Sequence, residues 1–181
     1  SQLVVQSQSF DELFEMAKNK EELLASIPAI QPVNNKDLKR LSSYYGYRTD
    51  PIYKVKKFHP GIDFSAPTGT EIYSTGDGTV KQIIKSRRGY GNRIIIDHGY
   101  GYETMYAHVH EFKVRKGQKV KRGQLIATVG NTGKSTAPHL HYEIRKDDKR
   151  VNPIYYFFND LTPEEYEEVL ELSALPTQSL D

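Results

Sequence analysis

Residues 77–110 read "DGTVKQIIKSRRGYGNRIIIDHGYGYETMYAHVH", three strand-like runs held apart by glycine-rich breaks. Runs rich in Val, Ile, Tyr and Thr that end at such breaks carry the signature of short β-strands. The breaks at Gly89-Tyr90-Gly91 and Gly99-Tyr100-Gly101 are too short for a crossover helix, so neighbouring strands must run antiparallel. The pattern continues on both sides in "EIYST" (71–75), "QLIATVG" (124–130) and "HLHYEIR" (139–145), with turns at Asp77-Gly78, Lys116-Gly117, Arg122-Gly123 and Thr132-Gly133. Residues 43–158 are therefore read as one mainly β domain, an antiparallel β-sandwich or open barrel.

Helical patterns flank this zone. In "SFDELFEMAKNKEELLASI" (9–27) a capping box of Ser9 and Glu12 opens a helix, and Pro28 ends it. Phe10, Leu13, Phe14, Ala17, Leu24 and Ile27 form its apolar stripe. "QPVNNKDLKRLSS" (31–43) reads as a second short helix opening near Asn34 or Asn35, with Leu38 and Leu41 turned one way. Residues 1–42 thus make an N-terminal helical segment, the end of a coiled coil or linker. Residues 159–181 make a C-terminal helix and tail. There Thr162 is the expected N-cap, Pro163 the first helical residue, Glu165 the closing member of a capping box, and Leu161 with Tyr166 a hydrophobic staple.

Composition narrows the function classes. Lys and Arg number 25 against 23 Asp and Glu, a net charge of +2, and no basic stripe is interleaved with aromatics, so nucleic acid is not the expected partner. The chain has no cysteine, which removes disulfides and thiolate metal sites and leaves His, Asp and Glu as the available ligands. No apolar run reaches membrane-spanning length. The sequence begins at Ser1 with no signal peptide, which fits a segment whose signal or anchor lies upstream.

All six histidines fall in the β zone. His139 and His141 in "HLHYE" share one face of a strand, about 7 Å apart, so one can bind a metal while the other moves protons. His59 and Asp63 in "FHPGIDF" would lie about 13 Å apart in an extended chain, too far to clasp one ion. Pro60 and Gly61 offer a bend that lets them converge, and a nitrogen paired with a carboxylate in this way suits zinc. The competing reading is a turn closed by a His–Asp hydrogen bond. His108 in "YETMYAHVH" supplies a third cluster, and a catalytic zinc needs three protein ligands, an open position and a separate proton carrier. His59, Asp63 and His141 as ligands, with His108 and His139 left over, meet that count. His98 reads as structural and His110 as surface.

With these residues in view, the chain resembles the lysostaphin-type (LytM-like) zinc metallopeptidases. The likeness rests on "FHPGIDF", "YGNRIIIDHGYGYETMYAHV", "KGQKVKRGQLIATVGNTGKSTAPHLHYEI" and "VNP", roughly residues 43–153. It implies a β-sandwich or open barrel of the duplicated hybrid motif type and one zinc ion bound by His59, Asp63 and His141. His108 and His139 become the catalytic pair. The implied activity is hydrolysis of peptide bonds in peptidoglycan cross-links, taken to be of the D-alanyl-diaminopimelate type, in the bacterial cell envelope. A glycyl cross-bridge endopeptidase is the alternative on the same site. A non-catalytic wall-binding or amidase-activating module is the alternative on the same fold, and its signature would be a lost ligand, whereas none is lost. Loops around 50–57, 86–91 and 131–137 should wall the substrate groove. Tyr53 is a further candidate donor to the oxyanion, while Asn92 and Thr104 match the family pattern in supporting roles.

Overall fold

The computed structural model describes residues 2–34, 40–49, 55–157 and 162–164, together with 167 and 171. Helix α1 spans Gln2–Ser26 and is followed by the strands β1 (Arg40–Ser43), β2 (Gly46–Thr49), β3 (Lys56–His59) and β4 (Ile62–Ser65). Then come β5 (Glu71–Tyr73), β6 (Gly78–Ile84), β7 (Arg93–Gly99), β8 (Tyr102–Ala107) and β9 (Val109–Phe112). The last strands are β10 (Lys119–Val120), β11 (Leu125–Val129), β12 (His139–Lys146) and β13 (Lys149–Val151), before a 3-10 turn at Pro153–Tyr156.

Every pairing among the described residues is antiparallel, as the short glycine breaks require. A large sheet has the order β1-β4-β12-β8-β7-β6-β10, with β13 added to β12; a smaller sheet has the order β5-β11-β9, and β2 pairs β3 separately. Ile72, Ile126, Ala127 and Val129 of the smaller sheet and Phe64, Ile94, Ile96, Tyr106, Leu140 and Tyr142 of the large one fill a single buried cluster. The expected sandwich is thus present, with its core between the two sheets.

The strand order puts β4, β12 and β8 side by side at the centre, and that adjacency builds the site. β12 is buried from His139 through Ile144 because it has a neighbour on each edge and a packed face on the core.

The flanks differ from expectation. α1 begins at Gln2, so Ser9 and Glu12 lie inside the helix rather than at its start. No glycine or proline occurs before Pro28, and extending an existing helix costs far less than nucleating a new one. Within the expected stripe, Phe14 is 68% and Leu24 53% exposed. Arg40–Ser43 is a strand rather than the end of a second helix, because Leu41 aligns with Phe64 on β4 and the ladder outweighs a weak helical preference. Leu38 lies outside the described residues, as do Tyr53, Leu161, Glu165 and Tyr166. Pro163 is helical and Thr162 precedes the helix.

α1 is tied to the domain at its last turn. Nη2 of Arg122 donates to the carbonyls of Leu24, Ala25 and Ile27, supplying the partners that helix-end carbonyls lack. Asp77 accepts from the Arg122 backbone at 2.8 Å and from Lys121 at 2.7 Å, and its own N–H donates to the Ala25 carbonyl at 2.9 Å. Among the described residues no helix is long and apolar enough to cross a membrane.

Candidate metal centre

Asp63 and His141 are direct cross-strand partners on β4 and β12, which brings their side chains together without further help. His59 arrives from a different ladder. β3 pairs β2, β4 pairs β1 and β12, and the chain changes sheets across Pro60-Gly61. Gly61 is needed for that step, because a Cβ there would sit 2.3 Å from the Tyr142 carbonyl oxygen. The bend removes the 13 Å separation of an extended chain, and Nε2 of His59 stands 3.1 Å from Oδ1 of Asp63.

His59, Asp63 and His141 converge at 4%, 0% and 0% exposure. Nε2 of His59 is 3.0 Å from Nδ1 of His141, and that Nδ1 is 2.8 Å from Oδ1 of Asp63. The outward ring nitrogens define the tautomers. Nδ1–H of His59 donates to the Tyr44 carbonyl at 2.9 Å, and Nε2–H of His141 donates to Oε1 of Glu143 at 3.2 Å. Nε2 of His59 and Nδ1 of His141 are then both lone pairs, and both face a carboxylate oxygen. Three acceptors this close repel one another unless a cation lies between them. A tetrahedral zinc with bonds of about 2.0–2.1 Å separates its ligand atoms by roughly 3.3 Å, close to the spacing found here. The residues present therefore fit a metal ion, and the N, N, O donor set suits zinc.

His108 and His139 stand beside this triad, with ring centroids 4.6 Å apart and His108 6.2 Å from His141. Each is steered by a backbone carbonyl. Nδ1–H of His108 donates to Thr132 at 2.7 Å, and Nδ1–H of His139 donates to Ala137 at 2.8 Å. Both rings thereby hold Nε2 as the basic atom. His108 follows β8 with φ of 58°, a left-handed conformation that a non-glycine residue holds only under constraint. The constraint comes from its N–H bonded to Tyr90 O at 3.0 Å and from the next residue's N–H bonded to Asn92 O at 3.0 Å.

Behind His141 is a network that the sequence reading did not assign. Glu143 is fully buried; besides His141 it accepts from the Tyr90 hydroxyl at 2.6 Å and from Nε of Arg150 at 2.9 Å. Burial alone pushes its carboxyl upward, but the bonds from His141, Tyr90 and Arg150 outweigh it and hold Glu143 below the ordinary range, as a carboxylate. Burial and the bond to Glu143 raise the Tyr90 hydroxyl, which stays protonated. The signal was available in "HLHYE", where His139, His141 and Glu143 share the period of two. Arg48 adds a cation 3.9 Å from Oδ2 of Asp63.

The remaining histidines separate as expected. His98 is buried, with Nδ1 2.8 Å from the Asp77 carbonyl and Nε2 2.7 Å from the Thr104 hydroxyl, and His110 is exposed. Asn92 accepts from the Ser86 N–H at 3.2 Å and so shapes the loop after β6.

Comparison with known proteins agrees with this geometry. The sequence pattern of the family described as peptidase family M23 matches residues 57–153. DD-carboxypeptidase/endopeptidase Mpg of Neisseria meningitidis is 46% identical over 116 residues, covering 64% of this chain and 26% of that protein. Peptidoglycan DD-endopeptidase ShyA of Vibrio cholerae is 44% identical over 115 residues, 62% of this chain and 26% of that protein. A crystal structure of a zinc containing peptidase from Vibrio cholerae superposes with a TM-score of 0.62 at 39% identity, covering 67% of this chain and 37% of that one. The chain spans about a quarter of the length of the curated relatives it matches.

Proposed function

Since the chain belongs to peptidase family M23, we propose that it hydrolyses peptide cross-links of peptidoglycan, of the D-alanyl-diaminopimelate type, with a single zinc ion held by His59, Asp63 and His141. The observation that carries this reading is the convergence of three lone-pair acceptors beside two histidines whose Nδ1 atoms are both tied to carbonyls. A zinc ion in that position supplies Lewis acidity toward the scissile carbonyl and toward water.

The rest is done by the chain. His108 and His139 form the acid–base pair: one accepts the proton of the attacking water through Nε2, and the other, protonated, donates to the developing oxyanion and then to the leaving amine. Glu143 keeps His141 in the tautomer that presents Nδ1. The loops over 86–91 and 131–137 guide the peptide past His108. A complete ligand set with both histidines in place argues against a non-catalytic module. Action on peptidoglycan places the protein outside the cytoplasm, in the bacterial cell envelope.

The test compares two variants on purified cross-linked peptidoglycan. His141→Ala should lose both bound zinc and hydrolysis, whereas His139→Ala should keep stoichiometric zinc and lose turnover by at least ~100-fold. Full activity and full zinc content in His141→Ala would remove the ligand assignment.

A further inference from the structure

The loop joining β6 to β7 carries Lys85, Arg87 and Arg88, and the loop before β12 carries Lys134. All four side chains are exposed, and among the described residues no ion pair engages any of them. No acidic residue occurs anywhere from 84 to 96 or from 112 to 142, so neither loop brings a counter-charge of its own. Elsewhere on the surface Lys81, Lys113, Lys121 and Arg150 each meet a carboxylate.

Two of these cations, Lys85 and Arg87, line an open cleft of about 500 Å³ together with Ser86, Asn92, Thr132 and Gly133. The cleft adjoins the catalytic histidines through its own backbone, because the Thr132 carbonyl is the group that holds Nδ1 of His108 at 2.7 Å. The two loops are also locked together. The Lys134 N–H donates to Gly89 O at 2.8 Å, the Asn92 N–H donates to Oγ1 of Thr132 at 3.0 Å, and a Cβ on Gly133 would lie 2.3 Å from the Gly91 nitrogen. The backbone under Lys85 and Arg87 is therefore set in advance at the side of the acid–base pair, and an extended peptide advances about 3.3 Å per residue. A group one or two residues from the scissile bond falls within reach.

We propose that this cleft binds a free carboxylate on the residue that supplies the leaving amine, with Lys85 and Arg87 as its charged contacts. The inference rests on the peptidase reading above and goes on to select among its substrates. In a D-alanyl-diaminopimelate cross-link the carbon bearing the released amine also bears a free carboxylate, as does the leaving residue in a carboxypeptidase reaction. An internal glycyl bridge has no such group. The cleft thus makes the chain selective for a carboxylate-flanked bond, through charge-assisted contacts that an uncharged analogue cannot make.

The experiment uses two soluble cross-linked peptides that differ only at this position, one with the free diaminopimelate carboxylate and one with its amide. The zinc-loaded chain should cleave the carboxylate form with kcat/KM about 10-fold or more above the amide, a ratio that falls as salt rises. In Lys85→Ala/Arg87→Ala the ratio should collapse to about 1–2, and Arg87→Lys, which keeps the charge, should retain most of the preference. Equal cleavage of both peptides by the unaltered chain, or a preference that survives in the double variant, overturns the cleft assignment and leaves the peptidase reading intact. If neither peptide is cleaved, the peptidase reading falls, and the cleft's role with it.

Discussion

Two buried polar clusters share the large sheet, and they obey opposite rules. Around His98 every polar atom meets a complementary one: Nδ1 faces the Asp77 carbonyl, Nε2 the Thr104 hydroxyl, and Thr75 ties Tyr106 and Tyr142 at 3.0 and 2.8 Å. Around His141 the donors are all spent outward, on Tyr44 and Glu143, so that acceptors face acceptors at 2.8–3.1 Å. Both histidines are buried, at 4% and 0% exposure. What separates a structural histidine from a candidate ligand here is where its second nitrogen points, and the orientation is set by the partner of the first.

The hardest way to break this comparison is to take the metal away. A chelator should leave the His98 cluster unaltered and destabilise the other, since three converging lone pairs lose the charge that offsets their repulsion. With metal present at about a thousand times its dissociation constant, binding adds roughly 4 kcal/mol of stability. Denaturation with and without chelator measures that difference. Equal stability in the two conditions would mean that the cluster holds together without a cation, and the contrast with His98 would disappear.

Parts of the candidate ligand set were legible in the sequence where its geometry is local or periodic, but not the pairing of β4 with β12 that sets His141 against Asp63. His139 and His141 share a strand face by the period of two, and Pro60-Gly61 marks the bend that joins His59 to Asp63. The antiparallel sheet was legible for a similar reason, in glycine breaks too short to cross over. Features decided by pairing were not. Residues 40–43 look helical until Leu41 is set against Phe64, and Ser9 looks like a cap until the helix is seen to start at Gln2. Arg150 and Tyr90 reach Glu143 from β13 and from the β6–β7 loop, and no spacing rule links such distant positions. The same is true of the Tyr44 carbonyl that fixes His59.

A smaller effect sharpens the comparison from within the candidate metal cluster. Glu143→Gln keeps the volume and removes the charge that holds Nε2–H of His141. The variant should fold and should bind zinc about 10–100-fold more weakly, the usual consequence of losing such a support. Competition with a chromophoric chelator reads this directly. Unchanged affinity would show that the His141 ring keeps its orientation without the carboxylate.

The smallest effect belongs to His98, and its sign follows from burial. Desolvation lowers the pKa of His98 below its ordinary value of 6.5, outweighing the help its protonated form receives from the Asp77 carbonyl. The unfolded chain therefore takes up that proton at a higher pH than the folded one. His98 should thus contribute no pH dependence well above the ordinary value, and stability should fall as the pH drops below it toward the folded pKa. One proton limits the slope to about 1.4 kcal/mol per pH unit. The useful quantity is the difference between the unaltered chain and His98→Gln, in urea denaturation from pH 8 to pH 5. The variant should be less stable at neutral pH, and the gap should narrow as acid is added, because the histidine alone is penalised for charging in place. A gap that stays constant across that range would mean that His98 titrates alike in the folded and unfolded chain, and its cluster would not be the fully matched one that sets it apart from His141.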